Sequence, residues 1–160
     1  MKKGLILLFS VLFLVGCGDT DIESETGVAE TEEEEKREEM LETEVMLYLS
    51  KMTNNYSSAF IATTSIDEKN EYLTKAITDI NLAVLEIEDE FEEGAPPTKE
   101  LFELAELLKI AIESEIAGDN ENAHKYSHEA GAIIGDLSRE YLDGELPTAL
   151  KIMTGLDDAN

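Results

Sequence analysis

Apolar residues recur three and four positions apart along most of the chain after residue 40, a pattern that predicts amphipathic α-helices. The first stripe contains Leu41, Val45, Tyr48, Met52, Tyr56 and Phe60. The second contains Leu73, Ile77, Ile80, Val84, Ile87 and Phe91. We expect the first helix to begin near Thr31 and to end at residues 62–64. A run of glutamates after Thr31 would interact favourably with the positive end of the helix dipole.

A third helix is predicted from about Thr98 to Ala117, and apolar residues cover more than half of its circumference. They are Leu101, Leu104, Ala105, Leu108, Ile112 and Ile116, with Leu107 and Ala111 at the margin and Ile110 almost opposite. A helix this apolar is expected to contact two neighbours. A fourth helix, ending at about Asp143, contains Ala123, Tyr126, Ala130, Ile133, Leu137 and Tyr141, and a last short segment contains Leu150, Ile152, Met153 and Leu156.

Residues between the stripes have the properties of helix ends. Ser65-Ile66-Asp67-Glu68 has the pattern of a capping box, and Asp119 can cap the fourth helix. Gly94 suits the C′ position of the second helix, before the stop at Pro96-Pro97. The predicted fold is all-α, an antiparallel four-helix bundle with a short C-terminal helix. A three-helix core with a projecting first helix, or a helix-swapped dimer, is the alternative.

The charge of the chain limits its possible partners. It has 37 acidic and 12 basic residues, a net charge of −25. Such a surface excludes nucleic acid, whose phosphates require lysine and arginine, and argues against adhesion to anionic lipid head groups. Cys17 is the single cysteine, so no intrachain disulfide can form.

The first seventeen residues have the pattern of an export signal. Two lysines precede an uncharged run, Leu5 to Val15, which is too short for a bilayer core that requires about 20 helical residues. The sequence Leu14-Val15-Gly16-Cys17 resembles the lipobox of bacterial lipoproteins. That resemblance implies cleavage after Gly16, fatty acylation of Cys17 with chains such as palmitate, and a lipid-anchored protein on the extracytoplasmic face of the cell membrane. An ordinary secretory signal with Cys17 as a free thiol is the alternative.

We therefore divide the chain into a signal peptide (1–16), a lipidated cysteine with an acidic tether (17–30), a helical bundle domain (31–156) and a polar tail (157–160). The tether is expected to be disordered because it has almost no apolar side chains to bury. The leader, the size and the hairpin Ala95 to Thr98 together resemble small helical-bundle lipoproteins of unknown function from Gram-positive bacteria. This second resemblance carries no functional residues.

No arrangement of residues indicates a catalytic site, and we expect neither an enzyme nor a cofactor. His124 and His128 lie one helical turn apart, a spacing at which two imidazoles can share a metal ion, and Glu121 precedes them by a turn. Zinc needs a fuller ligand set, so we interpret all three as surface side chains. Gly131 and Gly135 each cost a helix interior about 1 kcal/mol relative to alanine, which indicates close approach of another backbone or a tolerated weak helix.

The turn from Gly118 to Ala123, with Tyr126 and Ala130, resembles the inter-helix turn of a tetratricopeptide repeat. No similar unit lies 34 residues away, as an array of such repeats would require. We therefore interpret this hairpin as tight packing of helices three and four, in which small Ala123 and Ala130 approach Ala111.

Two surplus apolar pairs predict a docking surface. Leu107 and Ile110 on helix three, and Leu82 and Leu85 on helix two, lie away from the centres of the main stripes. Either the C-terminal segment covers part of this surface, which we favour, or it stays open to a partner. The predicted function is a membrane-tethered, non-catalytic interaction module that meets another extracytoplasmic protein. A small-ligand or cation-binding lipoprotein, using the bundle interior or the acidic surface, is the alternative.

Overall fold

A computed structural model describes residues 36–63 and 65–154, apart from the side chains of Met153 and Thr154. Its helices are α1 (Glu42–Ile61), α2 (Ile66–Glu90), α3 (Thr98–Ala117), α4 (Asn120–Tyr141) and α5 (Thr148–Thr154). No β-strand occurs among the described residues, and the predicted all-α class is confirmed. The predicted signal peptide, Cys17, the tether and Leu156 lie outside the described residues.

The first helix begins at Glu42 and not near residue 31, because residues 36–41 run past the end of α2 without forming a helix. Arg37 forms an isolated β-bridge with Phe91. The Arg37 N–H donates to the Glu90 carbonyl at 3.0 Å, and the Arg37 carbonyl accepts from the Glu92 N–H at 2.9 Å. The prediction for these residues was wrong, since helical periodicity gives no sign of a pairing with a distant part of the chain.

Both ends of α3 and the starts of α2 and α4 agree with their predictions. α3 spans Thr98–Ala117, as expected, and Gly118 closes it with a φ of 75°, a left-handed conformation that favours glycine. Ser65 Oγ accepts from the Glu68 N–H, and Asp119 Oδ1 accepts from the Asn122 N–H, each at 3.2 Å. These bonds satisfy N–H groups that a helix N-terminus leaves without partners.

The loop between α2 and α3 differs in detail from its prediction. α2 ends at Glu90, so Gly94 lies inside the loop and not at the C′ position of the helix. Gly94 still has a φ of 94°, and the Pro96–Pro97 peptide bond is cis. The loop therefore turns the chain several residues after the helix has ended.

The helices bury their predicted aliphatic stripes in one core. α1 packs against α2 and α5, and α3 packs against α4 and α2, which confirms that α3 contacts two neighbours. The largest fully buried side chains are Phe91, Leu49, Met52, Leu73, Ile80, Ile87, Leu101, Leu104, Leu108, Ile112, Leu137 and Leu142. Leu41 and Phe60 belong to the first stripe but are exposed, and both lie at an end of α1. Ala111, Ala123 and Ala130 are buried, in agreement with tight packing of α3 on α4.

Candidate functional site

The two ends of the helical domain differ in what covers them. We define the Phe91 end by Arg37, Glu44, Tyr48, Glu90 and Phe91. The Arg37 guanidinium lies 4.3 Å from the centroid of the Phe91 ring and pairs with Glu44 at 2.7 Å and Glu90 at 2.8 Å. Phe91 is buried and meets Tyr48 edge-on, with ring centroids 6.4 Å apart. This end is therefore closed by the N-terminal segment and by aromatic packing.

Packing in the same cluster shifts the pKa values of Tyr48 and Glu44. Burial raises the pKa of Tyr48 to about 12, and the carboxylates of Glu90 and Glu86 act in the same direction. Burial by itself would raise the pKa of Glu44, but hydrogen bonds from the Arg37 side chain and the Leu41 N–H hold it below its ordinary value. At neutral pH Tyr48 is therefore protonated and Glu44 is ionised. Neither group is poised for proton transfer, which requires a pKa near the working pH.

A cavity of about 590 Å³ opens beside the Phe91 end. Its apolar lining includes Phe91 and Phe102, and its charged lining comprises Lys36, Lys99, Glu88, Glu92 and Glu93. Thr98 also lines it, and the buried Thr98 hydroxyl has no hydrogen-bond partner among the described residues. Two ammonium groups and three carboxylates thus share the lining, and no single charge dominates it.

The opposite end of the domain exposes large apolar side chains. We define the Phe60 end by Phe60, Ile61, Ile66 and Ile116, which are 44%, 46%, 77% and 42% exposed. Lys69 Nζ lies 4.4 Å from the centroid of the Phe60 ring and 2.5 Å from Glu115 Oε1. These contacts bring together the end of α1, the start of α2 and the end of α3. The result is an apolar surface at the end remote from Arg37.

The predicted docking residues do not line one common pocket. Leu82 and Leu85 are 52% and 60% exposed on α2, and Leu82 lines a shallow groove that α2 forms with α1. Leu107 is half-buried against the core, and Ile110 is 37% exposed on α3. α5 packs against α1 and buries Leu150, while Leu82, Leu85 and Ile110 stay exposed. The favoured prediction that the C-terminal segment covers part of the docking surface is therefore wrong for these three residues, as far as the described chain extends. The four residues remain a predicted docking surface.

The predicted metal-ligand candidates are all exposed. His124, His128 and Glu121 lie on the surface of α4. Within residues 36–63 and 65–154, no group of three or more histidine, cysteine, aspartate or glutamate side chains is placed to hold a metal ion. His124, His128 and Glu121 are therefore not part of such a group.

Gly131 and Gly135 face open space and not another backbone. A Cβ atom at Gly131 would meet nothing within 4 Å, and one at Gly135 would meet only the Arg139 side chain, at 3.3 Å. The interpretation as a close backbone approach was wrong. Both glycines line a cavity of about 180 Å³, here called the α4 cavity, which also involves residues of α1, α3 and the segment entering α5.

The α4 cavity contains one polar contact between helices. The Tyr56 hydroxyl lies 2.6 Å from Ser127 Oγ, linking α1 to α4. Burial raises the pKa of Tyr56, against the opposing effect of the hydrogen bond with Ser127. The phenol is thus neutral at physiological pH and available for hydrogen bonding.

Two features of these sites were not anticipated from the sequence. Ile61 and Ile66 flank the α1–α2 connection and belong to neither stripe. Apolar residues beside a polar turn could have indicated an exposed apolar surface there. Thr53 and Ser127 lie at inward-facing positions of their helices. Small hydroxyl residues at such positions were a weaker signal, because they are also common as tolerated core residues.

Comparisons with protein-family models, curated proteins and solved structures found no match to this chain. Among the described helices, none combines the length and the apolar character needed to cross a membrane.

Proposed function

We propose that this protein is a lipid-anchored, extracytoplasmic lipoprotein that acts as a non-catalytic interaction module. The sequence Leu14-Val15-Gly16-Cys17 supports the anchor, with Cys17 as the lipidated residue. Cleavage after Gly16 would leave ten basic and 37 acidic residues. Anionic head groups would repel such a body, so the lipid would be its attachment to the membrane.

The architecture of the module is an antiparallel four-helix bundle with α5 packed on α1. Lys51 pairs with Glu86 and Asn55 with Asp79, so residue numbers rise along α1 as they fall along α2. Only Gly118 and Asp119 separate α3 from α4, and a connection this short favours antiparallel neighbours.

The exposed side chains of the Phe60 end carry the functional part of the proposal. Burying one large apolar side chain stabilises by about 1.5–3 kcal/mol. The four partly exposed apolar side chains at this end can therefore contribute to the binding free energy when a partner buries them. The first 35 residues join the domain at Lys36, close to the Phe91 end. Among the described residues, the segment that precedes α1 lies at the Phe91 end and does not cover the Phe60 end.

The charge around the Phe60 end defines the chemistry of that partner. Exposed Asp67 and Glu71 follow Ile66 on α2, and exposed Asp119 and Glu121 follow Ile116. A second copy of the chain would bring like charges together, which opposes self-association. The expected partner is a protein surface with apolar residues flanked by lysine or arginine, and its association is weakened by salt.

Capture from membrane extracts with matched variants tests this proposal. Ile66→Lys replaces the most exposed apolar side chain by a charge of the same sign as the expected partner. Leu85→Lys makes the same change at a residue of comparable exposure on the back of α2. With the full chain as bait, we expect one stoichiometric partner to be retained by wild type and by Leu85→Lys, and to be lost with Ile66→Lys.

Other outcomes would redirect or end the proposal. Loss of the partner with Leu85→Lys alone would move the docking surface to the predicted Leu82–Leu85 pair. Capture unaffected by either variant would contradict a site at the Phe60 end. The anchor is tested separately with Cys17→Ala, which should release the protein from membranes, and retention of this variant on membranes at high salt would contradict lipid anchoring.

A further inference from the structure

The α4 cavity is lined by side chains from several helices, is open towards the exposed Gly131, and is mainly apolar. Leu108 of α3, Ile134 of α4 and Leu150 of α5 supply its hydrophobic walls. Its volume of about 180 Å³ is comparable to that of an engineered cavity of about 150 Å³ that binds benzene. The space therefore accepts an apolar group about as large as one aromatic ring.

The two glycines that line the cavity have no packing reason to be glycines. Both lie inside α4, where glycine is less favourable than alanine by about 1 kcal/mol. No backbone approaches Gly131, and only the end of a flexible arginine side chain approaches Gly135. Their effect on the structure is to keep this wall of the cavity free of side chains.

The hydroxyl groups of the cavity can only accept further hydrogen bonds. Thr53 donates its proton to the Leu49 carbonyl, and Ser127 donates to the Ala123 carbonyl, both at 2.7 Å. A hydroxyl has one proton to donate, so the 2.6 Å contact between Tyr56 and Ser127 has Tyr56 as its donor. The remaining capacity of these oxygens is for accepting, chiefly at the Tyr56 oxygen.

We propose that the α4 cavity is a binding site for a small neutral molecule with an apolar body the size of one aromatic ring and a hydroxyl donor. The apolar body would lie against Leu108, Ile134 and the open face of Gly131. The hydroxyl would donate to the Tyr56 oxygen. The Tyr56 ring also meets the Phe60 ring, with centroids 5.2 Å apart, but the proposed site does not depend on the proposed docking function.

Two isomeric probes test directly whether the site requires a hydrogen-bond donor on the ligand. Benzyl alcohol and anisole have the same atoms and nearly the same size, but only benzyl alcohol has a donor. The full chain is held in lipid nanodiscs, and the methyl resonance of Ile134 is followed during titration, with exposed Ile110 as the reference methyl. We expect saturable shifts at Ile134 with benzyl alcohol, and an affinity for anisole lower by about tenfold, as the loss of one hydrogen bond predicts.

Variants locate the site. Gly131→Leu should fill the cavity and abolish the Ile134 shifts, while Ala132→Leu, at an exposed neighbouring position of α4, should preserve them. Tyr56→Phe should bring the affinity for benzyl alcohol down to that for anisole. If Gly131→Leu does not fold, as judged by its other methyl resonances, Gly131→Ala replaces it and should weaken binding.

Several results would overturn the proposal. They are the absence of a saturable shift at Ile134, equal affinities for the two isomers in wild type, and unchanged binding in the folded Gly131 variant. A response that appears only after removal of residues 155–160 would also overturn it, because the end of the chain itself would then be the occupant.

Discussion

The Phe91 end and the Phe60 end contain the same kinds of side chain but differ in how far these are buried. Each has a phenylalanine ring with a cation above it, Arg37 or Lys69, and each cation pairs with a carboxylate. Yet Phe91 is 2% exposed and Phe60 is 44% exposed. A cation over a ring therefore does not determine whether the ring is part of the core.

The difference lies in what else covers each ring. Each ring meets a tyrosine edge-on, Phe91 with Tyr48 and Phe60 with Tyr56. At the Phe91 end, the segment from Lys36 to Leu41 also passes over the end of α2. At the Phe60 end, Lys69 lies over the ring and three isoleucines around it are exposed. The first end therefore contributes mainly to stability, and the second is available for binding.

The largest expected effect comes from truncating the two phenylalanines in turn. Phe91→Ala should lower the free energy of unfolding by about 3–5 kcal/mol, because it removes a buried ring and leaves a cavity. Phe60→Ala should lower it by less than about 1 kcal/mol, since the ring is half in solvent. Urea unfolding of the two variants measures the contrast. Similar losses would mean that the two ends do not differ in the way described.

Deletion of residues 146–160 tests whether the C-terminal segment is a structural cover. Leu150 is 4% exposed and packs into the core, so its removal should cost about 2–3 kcal/mol of stability. The uncovered face of α1 should also bind a hydrophobic dye. Unchanged unfolding and dye binding would show that α5 is dispensable and does not act as a structural cover.

Alkaline pH should weaken the packing of Tyr48 at the Phe91 end. The pKa of Tyr48 is raised by burial from its ordinary value of 10 to about 12, so its contribution is complete below pH 10 and is lost as the pH rises towards 12. At pH 11 the loss should be on the order of 1 kcal/mol, the equivalent of one pKa unit. Tyr48→Phe lacks this hydroxyl, and its stability should fall less between pH 8 and pH 11. Parallel pH profiles for the two proteins would contradict this.

The smallest effect is expected at the Phe60 end. Ile66→Lys should change the free energy of unfolding by no more than about 0.5 kcal/mol, because Ile66 is 77% exposed. Thermal and urea unfolding at neutral pH provide the check. A loss of several kcal/mol would show that Ile66 supports the fold, and its use as a binding variant would be invalid.

Much of the helical framework was predictable because its signals are local. The Pro96-Pro97 stop and Gly118 fix both ends of α3, and Ser65 and Asp119 cap α2 and α4 by bonds within one helical turn. The all-α class follows from the same periodicity. These features depend on neighbours in sequence, which a single chain displays directly.

The sites were harder to predict because they depend on distant neighbours. The bridge between Arg37 and Phe91 joins residues 54 positions apart, and it replaces the helical start that the glutamate run suggests. Phe60 follows Tyr56 by four residues and so belongs to the first stripe, but it lies at the end of α1 and is largely exposed. The α4 cavity depends on how α1 and Leu150 pack beside Gly131. The periodicity of apolar residues does not predict such packing between helices.

Site-specific photo-crosslinking in intact membranes tests the central claim most directly. A photoreactive side chain is placed at position 66 of the Phe60 end, and in a second protein at position 92, which is exposed beside Phe91. We predict one discrete crosslinked partner from position 66 and none from position 92. A partner crosslinked from position 92 alone, or no crosslink from position 66, would contradict the assignment of the Phe60 end as the docking surface.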